Sequence, residues 1–162
     1  MATTRVMSVA RAIPVEVETA FRRTLPVALP TVFRRWSGPI GPVKAVRGQV
    51  GEWGAVGQTR TVEQAGGGRL REELTLVELP HRFAYRLTDI SGPLAPLVDQ
   101  VEGEWLFAPV GTGTEVTWRW TVYPSAFGSF AMPVFERLWS GYARQALEGL
   151  STELVRAGGR RE

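Results

Sequence analysis

The sequence predicts an α+β fold: about seven antiparallel strands, two short helices after the first strand, and one long helix at the C-terminal end. Three observations carry this expectation. A valine-rich run at 5–13 stops at Pro14, and from Val43 to Tyr123 short blocks of period-two alternation lie between glycine-marked turns. Apolar residues then recur every three or four positions from Phe130 to Ala157. With 162 residues, 44% of them apolar, the chain can bury one sizeable core, so residues 1–162 are read as a single domain.

The elements follow in order. Residues 5–13 form the first strand. Pro14 sits where a helix can begin, and Val17, Ala20, Phe21, Thr24 and Leu25 keep helical spacing until Pro26 and Pro30 interrupt. A second short helix is expected at about 30–36, ended by Ser37-Gly38-Pro39. Strands are expected near 43–50, 55–64, 69–78, 82–90, 99–108 and 114–123. In the last helix Phe135, Leu138, Trp139, Tyr142, Ala146, Leu150 and Leu154 share a face that must dock on the sheet. Glu136, Arg137, Arg144, Glu148 and Glu153 make the wet side, and Gly158-Gly159 stops the helix.

Composition removes whole classes of chemistry. The chain has no cysteine, which excludes disulfides, thiol nucleophiles, thiolate zinc sites and iron–sulfur ligation. Its one histidine, His81, follows Pro80 in a turn and reads as a solvent-facing residue rather than a catalytic base. No metal site and no cofactor are expected, since phosphate-loop, dinucleotide and Gly-x-Ser-x-Gly fingerprints are missing. Nineteen basic residues against 16 acidic ones give +3, spread along the chain, with Lys44 the sole lysine. Arg22, Arg23, Arg34 and Arg35 gather around one helical region and read as a solvated face, so no nucleic-acid partner is expected. The first residues carry Arg5 and Arg11 and lack the apolar stretch of a secretory signal, and no segment is long enough to span a bilayer. A cytoplasmic protein without integral membrane association is the expectation; the oligomeric state stays open.

Hairpin register decides which side chains share a face. A three-residue Gly66–Gly68 loop sets Gln64 opposite Leu70, Val62 opposite Glu72 and Arg60 opposite Leu74, and leaves Thr59, Thr61, Glu63, Arg71, Glu73 and Thr75 on the wet face. A two-residue Pro80-His81 turn sets Leu76 opposite Tyr85 and Leu74 opposite Leu87. A Val110–Gly113 loop pairs Phe107 with Val116, Trp105 with Trp118, Gly103 with Trp120 and Val101 with Val122. That stripe is apolar and strongly aromatic, and Gly103 beside Trp120 can leave a void for a small molecule. Arg60 and Glu72 are the charged exceptions on the inward face, diagonal to each other and within bridging reach. Either they form a structural ion pair or they orient a polar part of a ligand.

The element order, with Glu52-Trp53-Gly54-Ala55-Val56-Gly57-Gln58-Thr59-Arg60, the run from Glu73 to Pro80 followed by Phe83 and Tyr85, and Gly103-Glu104-Trp105-Leu106-Phe107 leading into Gly113–Trp118, resembles the START/SRPBCC helix-grip superfamily, polyketide cyclase/dehydrase-like branch. The resemblance covers nearly the whole chain. It implies a curved sheet wrapped around the long helix, leaving a cavity for a hydrophobic molecule. Members include lipid and hormone carriers, aromatase/cyclases and hydrolytic ring-cleavage domains, and no shared catalytic motif is found here to carry over.

The leading expectation is a protein that binds a hydrophobic, aromatic or polycyclic small molecule. Its ligand-binding side chains are Arg60, Val62, Glu72, Leu74, Tyr85, Trp105, Trp118, Trp120, Phe135, Leu138 and Tyr142, with Leu138 and Tyr142 closing the cavity over Trp105 and Trp118. The alternative is a cyclase, aromatase or dehydratase, with Glu72 as acid/base and Arg60 holding an oxyanion or carboxylate. A third reading is a chaperone-like interaction module whose internal aromatics are plain core.

Overall fold

Glu16, not Pro14, opens the first helix. Its carboxylate accepts the backbone N–H groups of Glu18 and Thr19 and so satisfies two of the donors every helix start leaves free. Those bonds hold the Glu16 carboxyl below the usual glutamate range. The structure is a computed structural model that describes residues 3–159. Strand β1 (Arg5–Ile13) leads to α1 (Val17–Thr24), which buries Ala20, Phe21 and Thr24. Helix α2 (Leu29–Val32) is shorter than the expected 30–36 because Phe33 leaves helical geometry, turning its ring inward while Arg34 and Arg35 stay exposed.

Six further strands follow: β2 (Val43–Arg47), β3 (Thr59–Gln64), β4 (Arg69–Glu78), β5 (Arg82–Ser91), β6 (Val98–Val110) and β7 (Gly113–Pro124). A 3-10 turn at Gly128–Ala131 opens α3 (Met132–Gly159). The seven strands form one antiparallel sheet in the order β1-β7-β6-β5-β4-β3-β2, so β1 crosses the chain's length to pair with β7. Along α3, Phe135, Trp139, Tyr142, Ala143, Ala146, Leu147, Leu150 and Leu154 are buried, at the three- and four-residue spacing expected of one docked face. No helix among the described residues is long and apolar enough to cross a membrane.

The β6–β7 pairing matches the expected register throughout, including Trp105 with Trp118 and Gly103 with Trp120. At β3–β4 the loop holds three residues as expected but sits one residue earlier, at Ala65–Gly67, with Gln64 N–H bonded to Gly68 carbonyl. Moving the loop by one residue changes each partner by two. Arg60 therefore lies directly opposite Glu72, and Val62 opposite Leu70, rather than diagonal. The inward set survives because a shift of two preserves side-chain parity.

Two other expectations fail. Glu78 pairs with Arg82, so the β4–β5 turn holds three residues, and Leu76 pairs with Ala84 instead of Tyr85. An extra residue, Thr75, bulges between Leu74 and Leu76, so Leu74 lies opposite Tyr85 rather than the expected Leu87, and Val77 rather than Leu76 lies beside Phe83. The strands expected at 43–50 and 55–64 stop at 47 and start at 59. Gly48, Gly51 and Gly57 have φ of 75°, 74° and 97°, a backbone region that strands do not use. Gln58 ties the intervening loop together, accepting from Gly54 and Ala55 N–H and donating to the Val50 and Glu52 carbonyls.

Candidate ligand-binding site

The inward face of β3–β7 meets α3 across rings. Trp105 and Trp118 stack at 5.3 Å, Trp118 meets Trp120 edge-on at 5.6 Å, and Trp139 of α3 lies 5.0 Å from Trp118 and 5.6 Å from Trp120. Phe33 covers Trp118 at 5.1 Å and stacks on Tyr142 at 5.6 Å. Phe21 of α1 closes the other end against Phe83 and Phe107. Each such pair adds about 0.5–1.5 kcal/mol beyond the area it buries.

These rings do not fill the interior. A cavity of about 80 Å³ remains, walled on the sheet side by Arg60, Val62, Gln64, Leu70, Glu72, Phe83, Tyr85, Leu87, Trp105, Trp118 and Trp120. Tyr142 and Leu150 come from α3, while Thr24, Leu25, Val27, Leu29, Val32, Phe33, Ile40 and Val43 come from the segment that runs from the end of α1 through α2 to the first residue of β2. That last group is the part the sequence does not single out. The signal for it is the apolar density between Val27 and Val43, which the local pattern assigns to short helices without a facing direction.

Of the side chains expected around the cavity, Leu74, Phe135 and Leu138 do not line it. Leu74 is fully buried in the packed core beside the Thr75 bulge. Phe135 is buried one helical turn before Trp139, and Trp139 itself stands behind Trp118 and Trp120 rather than at the cavity surface. Leu138 is rotated off the docked face toward the Ser37–Gly38 turn, where a Cβ added to Gly38 would come within 2.7 Å of Leu138 Cδ2. Tyr142 does face inward, and its hydroxyl donates to the Gly41 carbonyl at 3.1 Å.

Gly103 does not leave the expected void. Tyr85, its partner on β5, lays its ring across the glycine, and an added Cβ would overlap Tyr85 Cζ and Oη. The phenol oxygen then accepts two hydrogen bonds, from Trp118 Nε1 at 2.6 Å and Trp120 Nε1 at 2.9 Å. Burial, with the Glu72 charge adding to it, pushes the Tyr85 hydroxyl pKa well up.

Arg60 and Glu72 are each 6% exposed and bonded, Nε to Oε1, at 2.9 Å. The guanidinium also donates to Gln49 Oε1 at 3.2 Å and lies 3.9 Å over the Trp53 ring, so the Gly48–Gly57 loop supplies two of its contacts. Burial raises the Glu72 pKa, against the lowering effect of Arg60. Thr24 Oγ1, on the opposite wall, is buried without a hydrogen-bond partner among the described residues. The cavity is thus a ring-lined chamber whose polar groups are the Arg60–Glu72 pair, the Gln64 amide and the hydroxyls of Thr24, Tyr85 and Tyr142.

The family model described as "Polyketide cyclase / dehydrase and lipid transport" matches residues 4–155. The chain belongs to that family. No curated protein matches it. Among solved structures, the polyketide cyclase/dehydrase family chain is similar to the protein TTHA0849 from Thermus thermophilus, at 21% identity and TM-score 0.69 over 94% of this chain and 99% of that one. It is also similar to a Thalictrum flavum norcoclaurine synthase mutant in complex with a transition-state analogue, at 15% identity and TM-score 0.70, covering 98% of both. A third is the Zhui aromatase/cyclase of a Streptomyces species, at 14% identity and TM-score 0.69 over 95% of both chains. At these identities the likeness establishes the helix-grip fold, and the site must be argued from this chain's own residues.

Proposed function

We propose that this family member binds a hydrophobic, aromatic or polycyclic small molecule between the sheet and α3. The observation that carries the reading is the cavity itself, ring-lined yet given a buried ion pair, an amide and three hydroxyls. A plain core has no use for buried charge, whose desolvation costs several kcal/mol per ion and is only offset by good pairing. The family description, which joins polyketide cyclisation and lipid transport, supports the same ligand class.

Volume sets the terms of entry. A dry cavity of about 150 Å³ holds benzene, so the 80 Å³ chamber admits a polycyclic ligand only by widening. The wall suited to move is Leu25–Leu29, where Leu25, Val27 and Leu29 are half-buried and α2 is four residues long without a side-chain cap. Arg60, Val62, Glu72, Tyr85, Trp105, Trp118, Trp120 and Tyr142 form the opposing surface. On this proposal the protein works in the cytoplasm, as one domain without a nucleic-acid partner.

Native mass spectrometry of protein as purified, followed by calorimetric titration with naphthalene- and anthracene-sized aromatics, tests the reading. The expected result is a retained small molecule or saturable binding with a negative heat-capacity change. An interior that retains nothing and takes up none of the series would overturn it.

A cyclase-type enzyme is the second reading, and the raised Glu72 pKa in contact with Arg60 favours it. Glu72 would move the proton and Arg60 hold the developing oxyanion. Undiminished turnover of a polyketide-like substrate by Glu72→Gln would remove Glu72 from that chemistry.

A further inference from the structure

The bonding of Tyr85 is one-sided. Its phenol oxygen accepts from two indole N–H groups, and no described residue accepts the proton that oxygen carries. A phenol has one proton to donate besides its acceptor capacity, and a buried donor left unpaired is destabilising. The indoles of Trp118 and Trp120 occupy the β7 side of the hydroxyl, and the ring lies flush on the Gly103 backbone. The remaining direction is the cavity that all three side chains line.

From this geometry we infer that Tyr85 donates its hydroxyl proton as a hydrogen bond to an oxygen atom of the bound ligand, which makes the ligand an oxygenated aromatic such as an aryl ketone or quinone. The inference rests on the binding reading above and narrows its ligand class. Two N–H donors on the phenol oxygen polarise its O–H and strengthen it as a donor. The upward shift of its pKa keeps the phenol protonated, so it donates rather than standing as a phenolate. Thr24 Oγ1, unpartnered on the facing wall, gives a second hydroxyl suited to the same ligand chemistry. Glu72 and Gln64 are the other side-chain acceptors of the cavity; Glu72 bonds Arg60 through Oε1, and neither side chain is hydrogen-bonded to the Tyr85 hydroxyl.

The test compares 1-indanone with indane, which share a ring skeleton and differ by one carbonyl oxygen. Binding of each is measured by calorimetry to the wild type and to Tyr85→Phe, and the carbonyl stretch of bound 1-indanone is recorded by infrared difference spectroscopy. The expected ketone-to-hydrocarbon affinity ratio is about tenfold higher in the wild type than in Tyr85→Phe, the effect of one net hydrogen bond. The carbonyl frequency should drop on binding the wild type and recover in the variant. If both probes bind and neither the ratio nor the frequency depends on Tyr85, the inference is overturned while the binding reading stands. If neither probe binds the wild type, the inference is overturned, and the binding reading is decided by the naphthalene- and anthracene-sized series. Tyr85→Phe leaves two indole N–H groups unpaired, so should it not fold, the wild-type carbonyl frequency decides alone: an unshifted band overturns the inference.

Discussion

Replacing Arg60 with methionine removes the cation bonded to the buried Glu72 carboxylate while keeping an unbranched chain over Trp53. Glu72 then has two options at pH 7. It stays charged and uncompensated, or it takes up a proton. The second caps the electrostatic penalty, because protonating a glutamate that ordinarily titrates near ~4.3 costs about 1.4 kcal/mol per pH unit, hence about 3.7 kcal/mol at pH 7. Loss of the guanidinium over the Trp53 face adds about 1 kcal/mol. The expected destabilisation is therefore about 3–5 kcal/mol at neutral pH, read from urea unfolding followed by far-ultraviolet circular dichroism. The sign of its pH dependence follows from Glu72, whose folded pKa is already raised by burial. A raised carboxyl contributes stability that is fully present below its unfolded pKa and lost as pH rises through the folded value. Without Arg60 that folded value climbs further, so the gap between wild type and Arg60→Met should narrow as pH is lowered from 7 toward 4. Arg60→Met with Glu72→Leu should return to within about 2 kcal/mol of wild type and lose this pH dependence. A single variant losing under 1 kcal/mol at pH 7, or a loss that acid does not relieve, refutes the reasoning.

Other perturbations follow from the same geometry. Gly103→Ala should cost about 2–4 kcal/mol, since the new methyl displaces the Tyr85 ring and breaks both indole–phenol bonds; a thermal melt within a degree of wild type would contradict it. Gln58→Ala should free the Gly54 and Ala55 amides and cost about 1–2 kcal/mol, with faster hydrogen exchange confined to residues 48–58. Tyr142→Phe should cost about 1 kcal/mol through its bond to Gly41 while leaving 1-indanone affinity unchanged, because that hydroxyl is committed to the protein rather than to the cavity; a weakened affinity would show otherwise.

What could be read from the sequence follows from where the chain obeys a fixed period. Between β6 and β7 the alternation is unbroken from Val101 to Val122, and every partner lies where the pattern dictates. Parity places Arg60 and Glu72 on one face and tolerates a loop displaced by one residue; their direct opposition depends on whether Ala65 or Gly66 begins the loop, which composition does not distinguish. Thr75 shows the limit from the other side. A bulge costs one unpaired residue and leaves no compositional mark, yet it turns Leu76 away and brings Val77 in. Leu138 fits a helical stripe as well as Trp139 does, and only the approach of Gly38 shows which of them the docked face excludes. The apolar wall from Leu25 to Val43 is invisible as a wall because an irregular segment has no period to read.

The packing of Trp105, Trp118, Trp120 and Trp139 makes the interior an optical unit. At ring separations of 5.0–5.6 Å their transition dipoles couple, so excitation absorbed by one is shared among the set and lost at whichever member is quenched. A guest touching Trp118 alone would dim most of the protein's emission, out of proportion to the single ring it meets. Of the two tryptophans outside this set, Trp53 is buried and Trp36, 52% exposed, would go on emitting at the red, solvent-relaxed end of the spectrum. Occupancy should therefore register as a red shift of the residual light as well as a loss of intensity, and a coupled circular-dichroism band from the stacked indoles should change with it. The chain carries its own reporter, with its background channel set apart in wavelength, and needs no added dye.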